Sequence, residues 1–223
     1  NILSIRHYVP YLYKQCHGVI SLSMRTNISN ANMRFKAGVI SSDKIKQSIK
    51  ETRDRLTYLF SGSISSHAGF PLAFEVFSKM PNVELYISGH GDIGKFDFDA
   101  YANIHYLGYL DYEDYIKLYD KIDVCLSLRD PSFPENNNNF PSKILEYFMY
   151  NKIVISTIEY PELIGFNYIK TDFSKHGLCH VINQLELKPK DDLVIFKDNQ
   201  KALYDNFSVE SWKLAFEEVE RGI

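Results

Sequence analysis

The chain holds 223 residues, 45% hydrophobic and 24% charged, with 16 Tyr, 15 Phe and a net charge of −3. That supports one large domain, or one with substantial appendages, and the lack of a long basic block speaks against a nucleic-acid partner. No apolar run approaches a membrane span and no secretory leader is visible, so a cytoplasmic location is expected, with peripheral attachment to the inner face of a membrane left open.

In chain order, residues 1–40 hold a helix-like stretch (Tyr8–Gln15), a strand (Gly18–Leu22) and a polar, Asn-rich run (Asn27–Asn32). This region is too small to bury a core, so it reads as an appendage or the tail of a preceding domain. A start at Asn1 rather than Met suggests a piece of a longer protein. A charged helix is expected over Asp43–Arg55. Strands follow at Leu56–Ser61, Val83–Ser88, Ile104–Leu107, Ile122–Ser127, Ile153–Thr157 and Asn167–Lys170. Helical patterns lie at Phe70–Met80, Tyr112–Lys121, Ser142–Tyr150, Asp191–Tyr204 and Val209–Arg221, the last capped by Ser208.

Several strands are unbroken apolar runs, as in a parallel sheet covered on both faces. The alternation predicts an α/β fold: a doubly wound parallel sheet with an incomplete N-terminal appendage. The expected division is 1–42 as appendage and linker, 43–206 as the sheet domain, and 207–223 as a terminal helix. Ligands of such sheets bind beyond the carboxyl ends of the strands, where the winding reverses. The loops to search are Gly62–Ala68, Gly89–Lys95, Gly108–Leu110, Arg129–Phe140 and Ile158–Leu163.

The most informative segment is Phe140-Pro141-Ser142-Lys143-Ile144-Leu145-Glu146-Tyr147. Pro141 suits a first helical position, and free N–H groups at Ser142 and Lys143 favour an anion. Glu146 follows one turn later, so a ligand with phosphates and vicinal hydroxyls, such as a nucleotide sugar, would fit. An ordinary surface pair of Lys143 with Glu146 accounts for the same residues.

Other signals are weaker. Gly89–Gly94 spells G-x-G-x-x-G, but the residues after Gly94 do not look helical, which argues against an NAD site. The run Asp130–Asn139 is too rich in turn residues for regular structure; its Asn side chains serve turns or sugar hydroxyls equally well. Arg129 suits a phosphate, or a bridge to Asp130 or Glu135. The seven histidines show no metal-ligand spacing, and His90 is notable only for its loop. Cys16, Cys125 and Cys179 are widely spaced, the latter two reading as buried thiols of a reducing compartment.

Taken in order, Leu59-Phe60-Ser61-Gly62-Ser63 with Gly69, Val83-Glu84-Leu85-x-Ile87-x-Gly89-x-Gly91, Leu107-Gly108-Tyr109, Asp123-Val124, Phe140-Pro141-Ser142-Lys143-x-Leu145-Glu146-Tyr147 and Lys152-x-Val154-Ile155-Ser156-Thr157 resemble one family. It is the carboxyl-terminal, Rossmann-like domain of GT-B glycosyltransferases of the family-four (glycogen-synthase-like) group. The resemblance covers roughly residues 56–170, and Gly18–Ser23 looks like the last strand of that family's amino-terminal domain.

The resemblance implies retaining transfer of a sugar from a UDP- or GDP-sugar donor to a glycan or lipid-linked acceptor, in cell-surface polysaccharide biosynthesis, with no further cofactor. Glu146 would meet the ribose. Asn138, where the family often has Glu, would contact the donor sugar. Backbone N–H groups around Asn139, Phe140, Ser142 and Lys143 would meet the phosphates, Tyr109 and Leu110 would flank the base, and Gly62, Ser63, His90 and Arg129 complete the candidate set. Two cations that the family carries after the first strand are replaced by Ser63 and Ala68. A helix N-terminus contributes only about 0.3–1 kcal/mol toward an anion, whereas millimolar binding needs roughly 4 kcal/mol, so Lys143 or Arg129 must supply more.

The chain is also too short for two GT-B domains, so little or no transfer by it alone is expected, with most catalytic groups on the missing domain. Exposed Trp212 and Phe216 would then drive self-association. A GT-B-like sugar-nucleotide epimerase and a non-catalytic nucleotide-sugar-binding scaffold are the alternatives.

Overall fold

A computed structural model describes residues 2–24, 30–41, 55–138, 140 and 142–222. The body is a parallel six-stranded sheet built from β3 (Thr57–Ile64), β4 (Glu84–Gly91), β5 (Ile104–Tyr106), β6 (Val124–Ser127), β7 (Ile153–Ser156) and β8 (Ile169–Lys170). The spatial order is β5-β4-β3-β6-β7-β8. The chain therefore winds outward from β3 to β5, crosses back to β6, and winds outward again. Its winding reverses between β3 and β6, which creates a crevice at their carboxyl ends.

Side chains alternate across the sheet because successive Cβ atoms point to opposite faces. Tyr58 and Phe60 of β3, Val124 and Leu126 of β6, and Ile153 and Ile155 of β7 face one core with α2 (Phe70–Phe77) and α6 (Lys175–Leu187). Leu59, Cys125 and Val154 face the other, with α3 (Tyr112–Leu118), α5 (Ser142–Met149) and α7 (Gln200–Phe207). All six of these strand residues in β6 and β7 are at most 3% exposed, which is why the strands read as unbroken apolar runs.

Several elements differ from the sequence expectation. Both β3 and β4 run three residues further than expected, through Ile64 and Gly91. Gly62, Ser63, Gly89 and His90 thus lie in paired strands, with Gly62 opposite Gly89, rather than in loops. Glycine makes that extension possible: Gly89 has φ +155°, and a Cβ there would stand 1.8 Å from the Gly62 carbonyl oxygen. Asp130–Asn139 is not wholly irregular, because Pro134–Asn138 forms a short helix, α4. The expected helix Asp191–Tyr204 is instead a 3-10 segment, Lys190–Lys197, followed by α7. Asn199 breaks it: its side chain is buried, accepts from Asn167 N–H at 2.7 Å and donates to Asn167 C=O at 2.9 Å. Helix α6 was not anticipated, although Ser174 caps it and Leu178, Val181, Ile182 and Leu185 recur at helical spacing. Cys125 is buried as expected, but Cys179 is only half-buried.

The expected helix Asp43–Arg55, apart from Arg55, and the first part of the Asn-rich run, Asn27–Ser29, lie outside the described residues. The N-terminal region holds α1 (Ile2–Gln15) and a small parallel pair, β1 (Val19–Ser21) and β2 (Met33–Phe35). It is bound to the last helix, α8 (Val209–Arg221): Asn32 Nδ2 donates to Val219 C=O at 2.7 Å, and Arg34 pairs with Glu218 at 2.6 Å. Trp212 is not free for association, since it is half-buried and its Nε1 donates to Gly38 C=O at 2.7 Å. Phe216 and Leu214 on the same helix are exposed.

Candidate functional site

The loops that leave β3 and β6 are fastened to each other. Gly69, which opens α2, has φ +76°, and a Cβ there would lie 1.4 Å from the Leu128 carbonyl oxygen. No L side chain fits that approach. Beside it, fully buried Asn136 of α4 donates to His67 C=O at 2.8 Å and Asp130 C=O at 2.9 Å, and accepts from Arg129 Nη1 at 3.2 Å. Sequence reading missed Asn136 because nothing distinguishes it from its Asn neighbours except the fold.

Arg129 is half-buried and has no carboxylate partner among the described residues. Glu135 pairs with His67 at 3.4 Å instead. Lys143 is the second such cation. It does not pair with Glu146 as a surface couple; its Nζ donates to Ser61 Oγ on β3 at 2.6 Å and lies 5.4 Å from the Tyr115 ring centre. Burial lowers its pKa, and nearby Glu146 offsets part of that shift. Two half-buried cations held by neutral partners leave unspent positive charge beside the winding reversal, which suits an anionic ligand.

Glu146 is half-buried and faces into the protein, where Tyr119 Oη donates to its Oε1 at 2.7 Å. Tyr115 Oη lies 2.7 Å from Tyr119 Oη. Tyr115, Tyr119 and Tyr147 all have phenol pKa values raised, chiefly by burial, so they remain protonated donors. The spacing that makes this cluster is Tyr112, Tyr115 and Tyr119 on α3 and the turn after it, against Tyr147 and Tyr150 of the α5 region. That i, i+3, i+7 pattern was present in the sequence and was not singled out.

The remaining candidates divide. His90 is exposed and packs edge-on to Tyr109, ring centres 6.1 Å apart, with Tyr109 79% exposed. Leu110 is half-buried against the second core. Gly62 lies within β3, and exposed Ser63 contacts Ser65 Oγ at 3.2 Å. Ser142 is exposed at the start of α5. The Phe140 ring belongs to the core, packed on Tyr160 at 5.6 Å and Phe207 at 6.0 Å, so only its backbone is available to a ligand. Asn138 ends α4, while Asn139 and Pro141 lie outside the described residues. Beyond Gly91 the chain enters a 3-10 turn, Ile93–Lys95, and not the α-helix that a dinucleotide fingerprint requires.

No protein-family model and no curated protein sequence matches the chain. Solved structures do. TarM of S. aureus, in complex with fondaparinux, alpha-GlcNAc-glycerol and UDP, aligns with a TM-score of 0.71 at 16% identity, covering 96% of this chain and 46% of its own. The fold matches the Rossmann-like domains of GT-B glycosyltransferases. Anabaena HepE, in complex with UDP and glucose, aligns at TM-score 0.65 and 15% identity over 100% of this chain and 70% of that one. Sucrose-phosphate synthase of Thermosynechococcus elongatus gives 0.71 and 12% over 96% and 60%. The chain thus spans about half of TarM. Among the described residues, no helix is long and apolar enough to cross a membrane.

Proposed function

We propose that this chain is the donor-binding domain of a glycosyltransferase of the family-four type, which binds a nucleoside diphosphate sugar for retaining transfer to a glycan or lipid-linked acceptor. The observation that carries the reading is that Lys143, with no carboxylate partner among the described residues, stands one helical turn from inward-facing Glu146 beside the winding reversal. Lys143 and Arg129 would take the diphosphate, helped by the backbone N–H groups of Asn139, Phe140, Ser142 and Lys143, and Glu146 the ribose hydroxyls. Exposed Tyr109 and His90, with Leu110, would line the base; Gly62 and Ser63 would border the phosphates, and Asn138 the donor sugar. The UDP and UDP-glucose named with the similar structures support the same ligand class. Residues 43–206 would form this domain, 1–42 would belong to the acceptor-side domain, and 207–223 would pack toward it. A cytoplasmic place in cell-surface polysaccharide assembly follows from the resemblance.

The test is titration with UDP, GDP and ADP and their sugars, following amide shifts at residues 142–146. Selective shifts with one base support donor binding. No response to any nucleotide overturns it and favours the scaffold alternative, for which the uncharged Ser63 and Ala68 speak. Robust turnover by the chain alone would overturn the expectation that transfer needs a further domain.

A further inference from the structure

Three polar side chains, Tyr115, Tyr119 and Glu146, form one hydrogen-bonded line. Tyr115 Oη lies 2.7 Å from Tyr119 Oη, and Tyr119 Oη lies 2.7 Å from Glu146 Oε1; Lys143, whose Nζ donates to Ser61 Oγ at 2.6 Å, stands 5.4 Å from the Tyr115 ring centre. The carboxylate fixes the direction of the line, because it can only accept and each phenol has one proton to give. Tyr119 therefore donates to Glu146, and Tyr115 donates to Tyr119.

The line is also rigid. Tyr119 is 1% exposed, and its ring stacks on Tyr150 at 4.6 Å and 15°. Tyr115 packs edge-on to Tyr119 at 5.2 Å, and the Tyr119 ring cannot turn away without opening the core. Among the described residues Tyr119 is the one hydrogen-bond partner of the Glu146 carboxylate. One oxygen is held by a buried phenol, and the other is left to take an incoming hydroxyl.

Resting on the donor-binding reading, we propose that Tyr119, backed by Tyr115, is a positioning residue that aims Glu146 at the ribose diol of the nucleoside diphosphate. A donor whose ribose lacks those hydroxyls would leave an aimed carboxylate without its partner, and discrimination follows from that loss. Tyr119 itself does not touch the nucleotide. Its effect should therefore fall on the preference for ribose and leave the diphosphate contribution intact.

The experiment compares UDP with 2′,3′-dideoxy-UDP (or the corresponding GDP pair, should GDP be the nucleotide bound) by isothermal titration on wild type, Tyr119→Phe, Tyr115→Phe and Tyr112→Phe. Wild type should prefer the ribose form by about tenfold, the size of one charge-assisted hydrogen bond. Tyr119→Phe should shrink that preference to about twofold or less, with affinity for inorganic pyrophosphate unchanged. Tyr112→Phe, which changes the same tyrosine face without touching the line, should keep the full preference. Circular dichroism and the urea midpoint report folding; should Tyr119→Phe not fold, Tyr115→Phe must narrow the preference by a smaller factor. An undiminished preference in the folded variant overturns the proposal. A wild type that binds UDP and its dideoxy analogue equally overturns it too, while leaving the donor reading standing. Failure of wild type to bind any nucleoside diphosphate overturns both.

Discussion

The two sides of the crevice are built from opposite materials. On the β3–β4 side stand Gly62, Ser63, Gly89 and His90, small or exposed residues whose backbones pair strand to strand. On the β6–α5 side stand Arg129, Lys143 and Glu146, each tied by its side chain to a neighbour. One side supplies room and close backbone approach; the other supplies charge whose direction is already fixed. The lesson is that loss on the first side should appear as instability, and loss on the second as altered binding.

The largest effect expected is at the seam. Gly69→Ala places a Cβ against the Leu128 carbonyl in a left-handed conformation, so the loops after β3 and β6 must separate. We expect a loss of about 3 kcal/mol or more in urea unfolding. Next comes Asn136→Ala, which removes a buried side chain and its hydrogen bonds to the half-buried His67 and Asp130 carbonyls, each of which keeps a backbone donor, so a loss of about 1–2 kcal/mol is expected. A stability change below about 0.5 kcal/mol in either variant would mean that the seam is not a constraint.

Changes on the charged side should separate from these. Lys143→Met removes a cation whose partner is a neutral hydroxyl, so it should weaken UDP binding by about tenfold or more in titration. Its effect on stability has a sign set by pH. Burial lowers the Lys143 pKa below its ordinary 10.5, so the folded state binds fewer protons than the unfolded state between the lowered value and 10.5. Stability therefore rises with pH across that window, and at neutral pH the buried charge is a liability. Relative to Lys143→Met, the wild type should gain stability as pH climbs toward 10.5, checked by urea midpoints of both proteins at pH 7 and pH 10. A difference that stays constant would show that the amine is solvated.

How much of this was legible beforehand depends on range. The strands of the sheet and the Ser142 helix were readable because burial on both faces leaves unbroken apolar runs, and Glu146 followed from its place one turn inside that helix. The extensions of β3 and β4 were not, because glycine reads as a loop until its partner strand is known. Asn136 and Asn199 were not, because an Asn that knots two loops together has the same local sequence as one facing water. Tyr119 is the instructive miss. Its i, i+3, i+7 companions were visible, but what gives them meaning is a carboxylate 27 residues further on.

The smallest effect expected lies far from the crevice, where the N-terminal pair of strands meets α8. Arg34 and Glu218 stand 2.6 Å apart, yet the carboxylate side chain is 50% exposed. Solvent screens such a pair, so Glu218→Gln should change stability by no more than about 0.5 kcal/mol, and less at high salt. Asn32 is the better anchor in the same contact. Its amide donates to Val219 C=O at 2.7 Å and to His17 C=O at 3.2 Å, bonds that salt does not weaken. Asn32→Ala should therefore cost about 1 kcal/mol, with the difference between the two variants growing as salt is added. Hydrogen exchange along β1 and β2 would read both, and equal protection in the two variants at about 1 M salt would show that charge, and not the amide, holds the appendage to the last helix.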